Sequence, residues 1–426
     1  MFVENRRFGA AAIAAFLAAA AAAQDAPASA ESRRAEAERR AFEDLETTFI
    51  TATRTNLRRE ASPQQSFELS GDVLIEEDLA RTFADSFRRL PGTLVQKTSA
   101  SQSSPYLRGF TGYHTLLMMD GVRLNDSTLR SGPNDLWSTV DAYSVGEAEI
   151  VFGPSSVLYG SDAVGGAVNV IPKHRTRFGE GWDWDRRVIF RGATGERSLS
   201  FRVENEGNVG DDFGFFVGAT YQPFGRIDGG GSTGPQPTTG YENLGGDAVF
   251  DVRFDQNWSL RLTAQSFDVS DGWRTHSTIF GAPFAGSTIG TDQRRVLDFR
   301  RDLLAATVEG RDLGGFVDGA RFQLSYKGYA EREDRIAGSG ARTWQGFDVD
   351  TFGAAFHLIS ETGLGTFTYG ADWYHDDVDS FRHNFNAAGV QTASSVQGPV
   401  GDDAKYDLVG AFVQDEIRAT DELSVI

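Results

Sequence analysis

The stretch from Gly153 to Asn169, GPSSVLYGSDAVGGAVN, decides the fold. Its Gly-Pro pair ends a strand-forming run, Glu149-Ile150-Val151-Phe152, and its last residues begin an apolar, β-branched run from Gly165 to Ile171. The glycine-rich centre lacks the Gly-Lys-Ser/Thr ending of a phosphate-binding loop, so nucleotide binding is not expected. The stretch therefore predicts two strands of a compact domain, joined by a glycine-rich connection.

The residues before this stretch, from about Ser62, have a mixed α/β pattern. Thr82-Phe83-Ala84-Asp85 is typical of a capping box at a helix start, and Pro91-Gly92 ends the predicted helix. Leu116-Leu117-Met118-Met119, followed by Asp120-Gly121, predicts a strand that enters a hairpin turn. A domain of roughly a hundred residues is therefore predicted.

From about Arg187 onward the hydrophobic period changes to two. Phe322, Leu324 and Tyr326 alternate with polar residues, and residues 258–264 and 366–373 alternate in the same way. Apolar-out, polar-in strands are typical of a wide barrel with a hydrated lumen. About ten strands and the start of an eleventh, at residues 421–426, are predicted.

The connections between these strands favour a barrel over a water-soluble sandwich, because short and long connections largely alternate. Short connections are predicted at about 208–212, 255–257, 311–315, 361–364 and 419–422, and long ones at about 224–246, 271–292, 332–343 and 381–404.

The composition excludes several classes of function. The 426 residues have a net charge of −19, which argues against a nucleic-acid partner. There is no cysteine, which excludes a disulfide scaffold, thiolate zinc sites and cysteine nucleophiles. No nucleophile elbow and no HExxH motif is present, so we do not expect an enzyme.

The N-terminus indicates export. Arg6 and Arg7 precede an alanine-rich apolar run, and residues 1–23 are predicted to be a signal peptide that is cleaved after Ala23. Residues 24–45 are polar, with charges of both signs, and are predicted to form a periplasmic tether.

Four motifs occur in order behind this signal peptide: Arg88-Arg89-Leu90-Pro91-Gly92, Arg108-Gly109-Phe110, residues 119–125 (MDGVRLN), and the stretch from Gly153 to Asn169. Together they resemble the plug domain of TonB-dependent outer-membrane receptors. The resemblance begins at about Thr47. It implies a mainly β protein, with an α+β plug domain at residues 60–174 and an antiparallel transmembrane β-barrel from residue 185.

The resemblance implies a barrel of 22 strands, whereas residues 185–426 supply about 10. An open half-barrel in lipid leaves two unpaired strand edges, and each unsatisfied backbone group costs several kcal/mol. We therefore expect a truncated product or a partial sequence, and not a working transporter by itself.

The resemblance also implies a partner. Residues 46–54, and within them Thr48, Phe49, Ile50, Thr51 and Ala52, resemble the TonB box, which pairs with TonB and its inner-membrane energising complex. The residues alone leave two readings open, a docking strand and the first strand of the next domain. The other expected partners are outer-membrane lipid and an iron-complex ligand or haem-carrying protein.

Arg108 resembles one of two arginines that bridge the plug to glutamates on the barrel wall. The other position holds Phe152 in this sequence. We therefore expect one plug–barrel latch, at Arg108.

The resemblance implies uptake of an iron complex, with no permanently bound cofactor. Residues 125–134 resemble the apex loop of the haem/haemoglobin-type subgroup, which favours haem or a siderophore. Residues 157–163 and His114 also resemble cobalamin receptors. Uptake of cobalamin or another nutrient, and a non-functional truncated fragment, are therefore the alternatives.

The expected ligand-binding residues lie in two polar loops of the plug, Lys97–Pro105 and Asn125–Asn134, which should face outward. They are Ser101, Gln102, Ser103, Asn125, Arg130 and Asn134. The His114 turn is expected on the opposite side of the plug. His276 and His383 fall in predicted extracellular loops and are weak candidates for metal ligation.

The TonB-box hypothesis predicts that Ile50→Pro abolishes pairing with TonB, because proline removes a backbone donor from the strand. Binding of a peptide spanning residues 46–54 to the C-terminal domain of TonB would be measured. Equal affinity of the wild-type and Ile50→Pro peptides would contradict the hypothesis.

Overall fold

The computed structural model describes residues 49–50, 57–58 and 64–426, except residues 232, 284–285, 287 and 421–422. The predicted signal peptide and tether, and Thr48, Thr51 and Ala52 of the predicted TonB box, lie outside the described residues. Strands β1 (Phe49–Ile50) and β2 (Leu57–Arg58) form a two-stranded sheet.

The N-terminal domain, called the plug below, contains a five-stranded sheet and a separate hairpin. The strands are β3 (Ser66–Ser70), β4 (Thr93–Lys97), β5 (Ser103–Leu107), β6 (Thr115–Met119), β7 (Val122–Arg123), β8 (Val145–Phe152) and β9 (Gly166–Pro172). The sheet order is β3-β8-β9-β6-β7, and β4 pairs with β5. The α-helices are α1 (Gly71–Glu76) and α2 (Ser156–Tyr159), and 3₁₀ helices lie at Phe83–Arg89, Gly112–His114 and Asp135–Thr139.

The local signals of the plug are confirmed. Thr82 and Asp85 form the reciprocal capping box, although the helix that follows, Phe83–Arg89, is 3₁₀ throughout. Asp120 and Gly121 make the predicted turn between β6 and β7, with φ of 48° and 79°. The stretch from Gly153 to Asn169 joins β8 to β9 through the short helix α2.

The C-terminal part is one antiparallel sheet in which consecutive strands pair in chain order. Its strands are β10 (Trp182–Ala193), β11 (Ser198–Val209), β12 (Phe213–Phe224), β13 (Tyr241–Arg253), β14 (Trp258–Trp273), β15 (Arg294–Gly310), β16 (Gly319–Ile336), β17 (Arg342–Glu361), β18 (Thr366–Phe385), β19 (Gln391–Ser395), β20 (Ala404–Arg418) and β21 (Ser424–Val425). Apart from β19, which pairs with the end of β18, this is the predicted set of ten strands and the start of an eleventh.

The two ends of this sheet differ in their connections. At the short-turn end the strands are joined by residues 210–212, 254–257, 311–318, 362–365 and 419–423, and at the long-loop end by residues 194–197, 225–240, 274–293, 337–341 and 386–403. A 3₁₀ helix, Thr275–Ser277, lies in one of the long connections. The prediction of a long loop at 332–343 is wrong, because β16 continues to Ile336 and β17 begins at Arg342. Only a tight turn separates them. In the described parts of the chain, no helix is long and apolar enough to cross a bilayer.

The outer face of the sheet is apolar, as predicted. Leu324 is 66% exposed on this face, whereas the neighbouring Gln323 is 6% exposed and faces the lumen. The prediction of a polar lumen is only partly right. Eleven buried apolar residues of the wall belong to the same core as the plug: Phe224, Tyr241, Phe267, Val269, Leu297, Phe299, Leu303, Tyr329, Phe347, Val349 and Val378.

The plug lies against the inner wall in one orientation. The Asp120 carbonyl, at the β6–β7 turn, accepts hydrogen bonds from Arg321 and Gln323, near the start of β16 at the short-turn end. The Gln102 side chain accepts one from Arg274, at the long-loop end. The first polar loop therefore faces the long-loop end, as expected.

The expected position of His114 is wrong. The Tyr113 amide donates to the Arg130 carbonyl at 3.2 Å, so the His114 turn packs directly on the second polar loop. Gly112 makes this close approach possible. Its φ is 66°, and a Cβ there would lie 2.2 Å from the Arg130 carbonyl oxygen.

We predict that Gly112→Ala lowers the free energy of unfolding of the plug by roughly 2–4 kcal/mol, because it combines a left-handed φ with a backbone overlap. Denaturant unfolding followed by hydrogen exchange in β6 and β9 would measure it. Gly132→Ala is the matched control, since it lies in the same contact, has no left-handed φ and has open space around its Cβ. Equal effects of the two variants would contradict this account.

Candidate functional site at the plug–wall interface

Four acidic residues of the plug face basic residues of the inner wall. They are called the plug acids, and their partners are as follows: Asp120 with Arg261 and Arg321, Asp126 with Lys327, Asp135 with Arg274, and Asp141 with Arg202. The plug acids lie on the turns and loops between β6 and β8, so each occupies the end of a rigid element. A charged side chain of the wall that is buried against the plug needs a partner of opposite charge there, because it has lost its hydration.

The Lys327–Asp126 pair is the most buried contact between plug and wall. The ammonium lies 2.6 Å from the carboxylate, and the two side chains are 1% and 0% exposed. Lys327 also donates to the Leu124 carbonyl at 2.7 Å. The Asp126 carboxylate accepts from the Thr128 hydroxyl at 2.6 Å, so both charges are compensated.

Arg202 forms the centre of a second buried cluster. It makes a bidentate contact with Asp247 at 2.7 and 3.0 Å and an ion pair with Glu204 at 2.6 Å. The plug contributes Asp141, which lies 3.4 Å from Arg202 and accepts from the Thr220 hydroxyl at 2.6 Å. Burial raises the pKa of Asp141, although Arg202 opposes the shift.

At the short-turn end, the pKa of Asp120 is shifted in the opposite direction to the pKa of Asp141. Burial alone would raise its pKa, but Arg261 and Arg321 together hold the pKa below its ordinary value. A carboxyl with a depressed pKa in the folded state stabilises the fold above its unfolded pKa, and this stabilisation is lost as the pH falls through the folded pKa. The Asp120 contact is therefore weakened by acid.

The plug and the wall are also joined by ion pairs in which the plug supplies the basic residue and the wall supplies the acidic one. Lys173, in the segment after β9, lies 2.6 Å from Glu204, and Arg81 lies 2.8 Å from Glu196. Arg130 lies 3.7 Å from Glu331 at the long-loop end.

The predicted ligand residues of the first polar loop are buried. Ser101, Gln102 and Ser103 are each at most 2% exposed. The Ser103 hydroxyl is 2.6 Å from the Thr82 hydroxyl, and Ser101 packs against Gly272 of the wall. In this state, these side chains position the plug.

The asparagines of the second polar loop are also engaged within the plug. The Asn125 amide donates to the Thr115 carbonyl and to Asp162, both at 3.0 Å. Asn134 clamps its own loop, because it accepts from the Arg130 amide and donates to the Arg130 carbonyl at 3.0 Å. Among the six predicted ligand residues, Arg130 has the accessible polar group, with a side chain 48% exposed.

Arg108 lies within the plug in this structure. It donates to the Gln65 side chain at 3.1 Å, and its guanidinium lies 5.9 Å from the centre of the Phe152 ring. The aromatic residue at position 152 therefore takes part in a cation–π contact with Arg108. The Arg108 latch to a barrel glutamate stays a prediction.

The two candidate histidines are far apart. His276 lies in the 3₁₀ helix of the 274–293 connection, as expected for a loop, and burial lowers its pKa, with Arg274 and Arg295 acting in the same direction. His383 lies on β18 and not in a loop, and its ring stacks on Phe381 and Trp344. Side chains on β18 alternate, and Asp376, Val378 and Ser380 are the buried, lumen-facing set, so His383 faces outward.

Metal ligation has little support in the described parts of the chain. No group of three or more His, Asp or Glu side chains there could hold a metal ion. Met118 and Met119 lie inside β6 and are 2% and 0% exposed, so their thioethers do not reach the lumen.

Sequence reasoning missed the plug acids and their partners. A signal was present, because Lys327 occupies a polar, lumen-facing position in the alternating run that begins at Phe322. The identity of each partner was not readable, since Lys327 and Asp126 are 201 residues apart.

Comparison with known proteins agrees with this architecture. Residues 59–167 match the family model of the TonB-dependent receptor plug domain. A protein named vitamin B12 transporter BtuB, from Vibrio vulnificus, is 30% identical over 192 residues, which are 40% of this chain and 31% of that protein. Its namesake from Photobacterium profundum is 36% identical over 97 residues, or 22% of this chain and 16% of that protein.

Solved structures share the fold. The copper transporter OprC aligns with a TM-score of 0.67 at 15% identity, covering 83% of this chain and 53% of its own. The siderophore receptor PirA from Acinetobacter baumannii aligns with a TM-score of 0.60 at 19% identity, covering 85% and 55%. The chain thus spans less than a third of these curated relatives and little more than half of these structures.

Residues 59–167 therefore match a TonB-dependent receptor plug domain, and the chain as a whole shares the fold of these transporter and receptor structures.

We predict that Lys327→Met weakens the docking of the plug on the wall by about 3–5 kcal/mol, because it leaves Asp126 buried and uncompensated. Addition of Asp126→Asn should recover part of this loss, since no unpaired charge then remains. Hydrogen exchange of the plug in outer-membrane preparations would measure docking. Arg300→Met, which removes an exposed pair with Asp302, should cost less than about 1 kcal/mol. Additive effects of the two interface substitutions would contradict the coupling.

Proposed function

We propose that this protein belongs to an active-uptake receptor that carries an iron complex, such as a siderophore or haem, across the outer membrane with energy from TonB. The observation that carries the proposal is the position of the plug. A folded domain lies against the lumen face of the barrel sheet and is fastened there by buried ion pairs and an apolar core. Passage of a ligand then requires an input of work on the plug.

The N-terminal segment supports TonB as the source of this work. Residues 46–54 combine β-branched and aromatic residues, and they lie before β3, the edge strand of the plug sheet. An extended segment adds readily to the exposed sheet edge of a partner protein. In the chain, β3 is the first plug strand after this segment and would be the first to receive a force on it.

The chemistry of the long-loop end supports an anionic ligand. We call the cluster formed there by Gln102, Arg130, Asp135, Arg274 and Glu331 the outer vestibule, in which Arg130 is the most exposed side chain. Arg130 contributes a half-exposed guanidinium, held at a 3.7 Å contact that a ligand carboxylate or catecholate could replace. His276, in the 274–293 connection, is the candidate haem ligand there, and burial lowers its pKa, which favours the neutral imidazole that ligates metals.

Cobalamin is the second candidate. The two curated relatives carry the name vitamin B12 transporter, and this observation favours it. Copper has weaker support despite the structural likeness to a copper transporter. The chain has no cysteine, and Met118 and Met119 are buried, so soft sulfur ligands are scarce.

We predict that Arg130→Ala reduces uptake of an anionic iron complex about tenfold or more, because a charge-assisted hydrogen bond to the ligand is lost. Arg130→Lys should retain part of the activity, and Arg300→Ala, on the outer face, should have no effect. Each variant would be made in a full-length homologue, and growth of a receptor-deficient Gram-negative host on haem, on ferric siderophores and on cobalamin would be compared at matched expression. Loss of cobalamin-dependent growth alone would favour the second candidate, and no effect of Arg130→Ala on any ligand would contradict the site.

A further inference from the structure

Arg81 of the plug reaches the base of an outer loop. It lies between α1 and the capped helix that begins at Phe83, and its side chain is 16% exposed. The loop, residues 225–240, joins Phe224, the last residue of β12, to Tyr241, the first residue of β13. These two residues are called the loop stem below.

The loop stem forms an aromatic surface for the Arg81 guanidinium. The Phe224 and Tyr241 rings stack with centroids 4.5 Å apart, and both residues are buried. The guanidinium carbon of Arg81 lies 5.0 Å from the Phe224 ring and 5.4 Å from the Tyr241 ring. A planar guanidinium can contact both rings in this way, whereas a compact ammonium cannot.

An ion pair fixes the direction of the Arg81 side chain. Its Nε lies 2.8 Å from a carboxylate oxygen of Glu196, in the neighbouring turn 194–197. Arg191 and Ser198 hold the same carboxylate at 2.9 and 2.8 Å. Gly225, the first loop residue, packs on this turn so closely that a Cβ would lie 2.7 Å from the Glu196 carbonyl oxygen. The turn, the loop and Arg81 therefore form one contact.

The far end of the same loop returns to the plug through a second loop. The Thr275 hydroxyl donates to the Thr238 carbonyl at 2.5 Å. The adjacent Arg274 donates to Gln102 at 3.3 Å and lies 3.9 Å from Asp135, one of the plug acids. Both ends of the 225–240 loop are thus connected to the plug.

We propose that Arg81 is a positioning residue that couples the 225–240 loop to the plug, so that a displacement of the loop by ligand is transmitted to the segment between α1 and Phe83. The segment is close in the chain to β3, on which the N-terminus acts. The contact itself stands independently of the ligand, and only its use in transport rests on the proposed function.

The contact can be tested without any ligand. Arg226 is exposed and is the only Lys or Arg of residues 225–240, so trypsin has one cleavage site there. Limited proteolysis of the full chain in outer-membrane preparations, followed by mass spectrometry, would give the cleavage rate after Arg226. Because the chain has no cysteine, Thr233→Cys and Leu94→Cys can also carry spin labels for loop-to-plug distances without background.

Arg81→Ala should raise the cleavage rate after Arg226 about tenfold and broaden the loop-to-plug distance distribution. Arg81→Lys should fall between Arg81→Ala and the wild type, since it retains the ion pair and loses the planar contact. Phe224→Leu should act in the same direction as Arg81→Ala. Arg89→Ala is the matched control, because Arg89 pairs with Glu77 and Asp78 inside the plug and should leave both readouts unchanged.

A second measurement separates coupling from general stability. With a ferric siderophore as the probe, Arg81→Ala should lower the maximum uptake rate several-fold while ligand affinity changes less than about twofold. An unchanged cleavage rate and distance distribution in Arg81→Ala, or an equal change in Arg89→Ala, would overturn the proposal. A change in both readouts without siderophore uptake by the wild type would retain the contact and reject the proposed ligand.

Discussion

The cost of a buried charge is the constraint on which the rest of this structure depends. Lys327 lies on a strand whose other face contacts lipid, and an unpaired ammonium there would lose several kcal/mol of hydration. Asp126 of the plug supplies the compensating charge at 2.6 Å. The buried basic residues of the wall therefore require the plug acids as partners, and the plug acids require these basic residues. This pairing of charges fixes the plug in one position.

Buried ion pairs do not by themselves fasten one domain to another, because desolvation offsets most of the Coulomb attraction. The apolar core that Trp137 and Phe83 of the plug share with Phe299 and Phe347 of the wall supplies the missing attraction, at about 1.5–3 kcal/mol for each large side chain removed from water. The ion pairs then set where the apolar surfaces meet. This division of roles explains why the lumen is not uniformly polar, as the alternating strands had predicted.

Much of the fold could be predicted from the sequence, because it follows from local rules. The capping box at Thr82, the turn at Asp120-Gly121 and the period-2 strands each depend on neighbouring residues. The predictions failed where the structure depends on contacts between residues that are far apart in the sequence. Polar residues at 332–343 resembled a loop, but the pairing of β16 with β17 continues through them. Asn125 and Asn134 are predicted ligand contacts, and that prediction is untested; in this structure their amides satisfy backbone groups of the plug. His383 resembled a loop residue, and only the register of β18 places it on the outer face.

The plug–wall ion pairs of the outer vestibule are longer than the most buried plug–wall pair. In the middle of the sheet, the Lys327–Asp126 pair is short and nearly fully buried, at 2.6 Å. In the outer vestibule, Arg130–Glu331 and Arg274–Asp135 are separated by 3.7 and 3.9 Å. A ligand arriving from outside can therefore offer Arg130 and Arg274 shorter contacts than their present ones. The deeper Lys327–Asp126 pair is already short, so a ligand contact would not strengthen it. Under the proposed function, ligand binding would rearrange the outer vestibule while the Lys327–Asp126 pair still holds the plug, and the force on the N-terminal side would be what disturbs that pair.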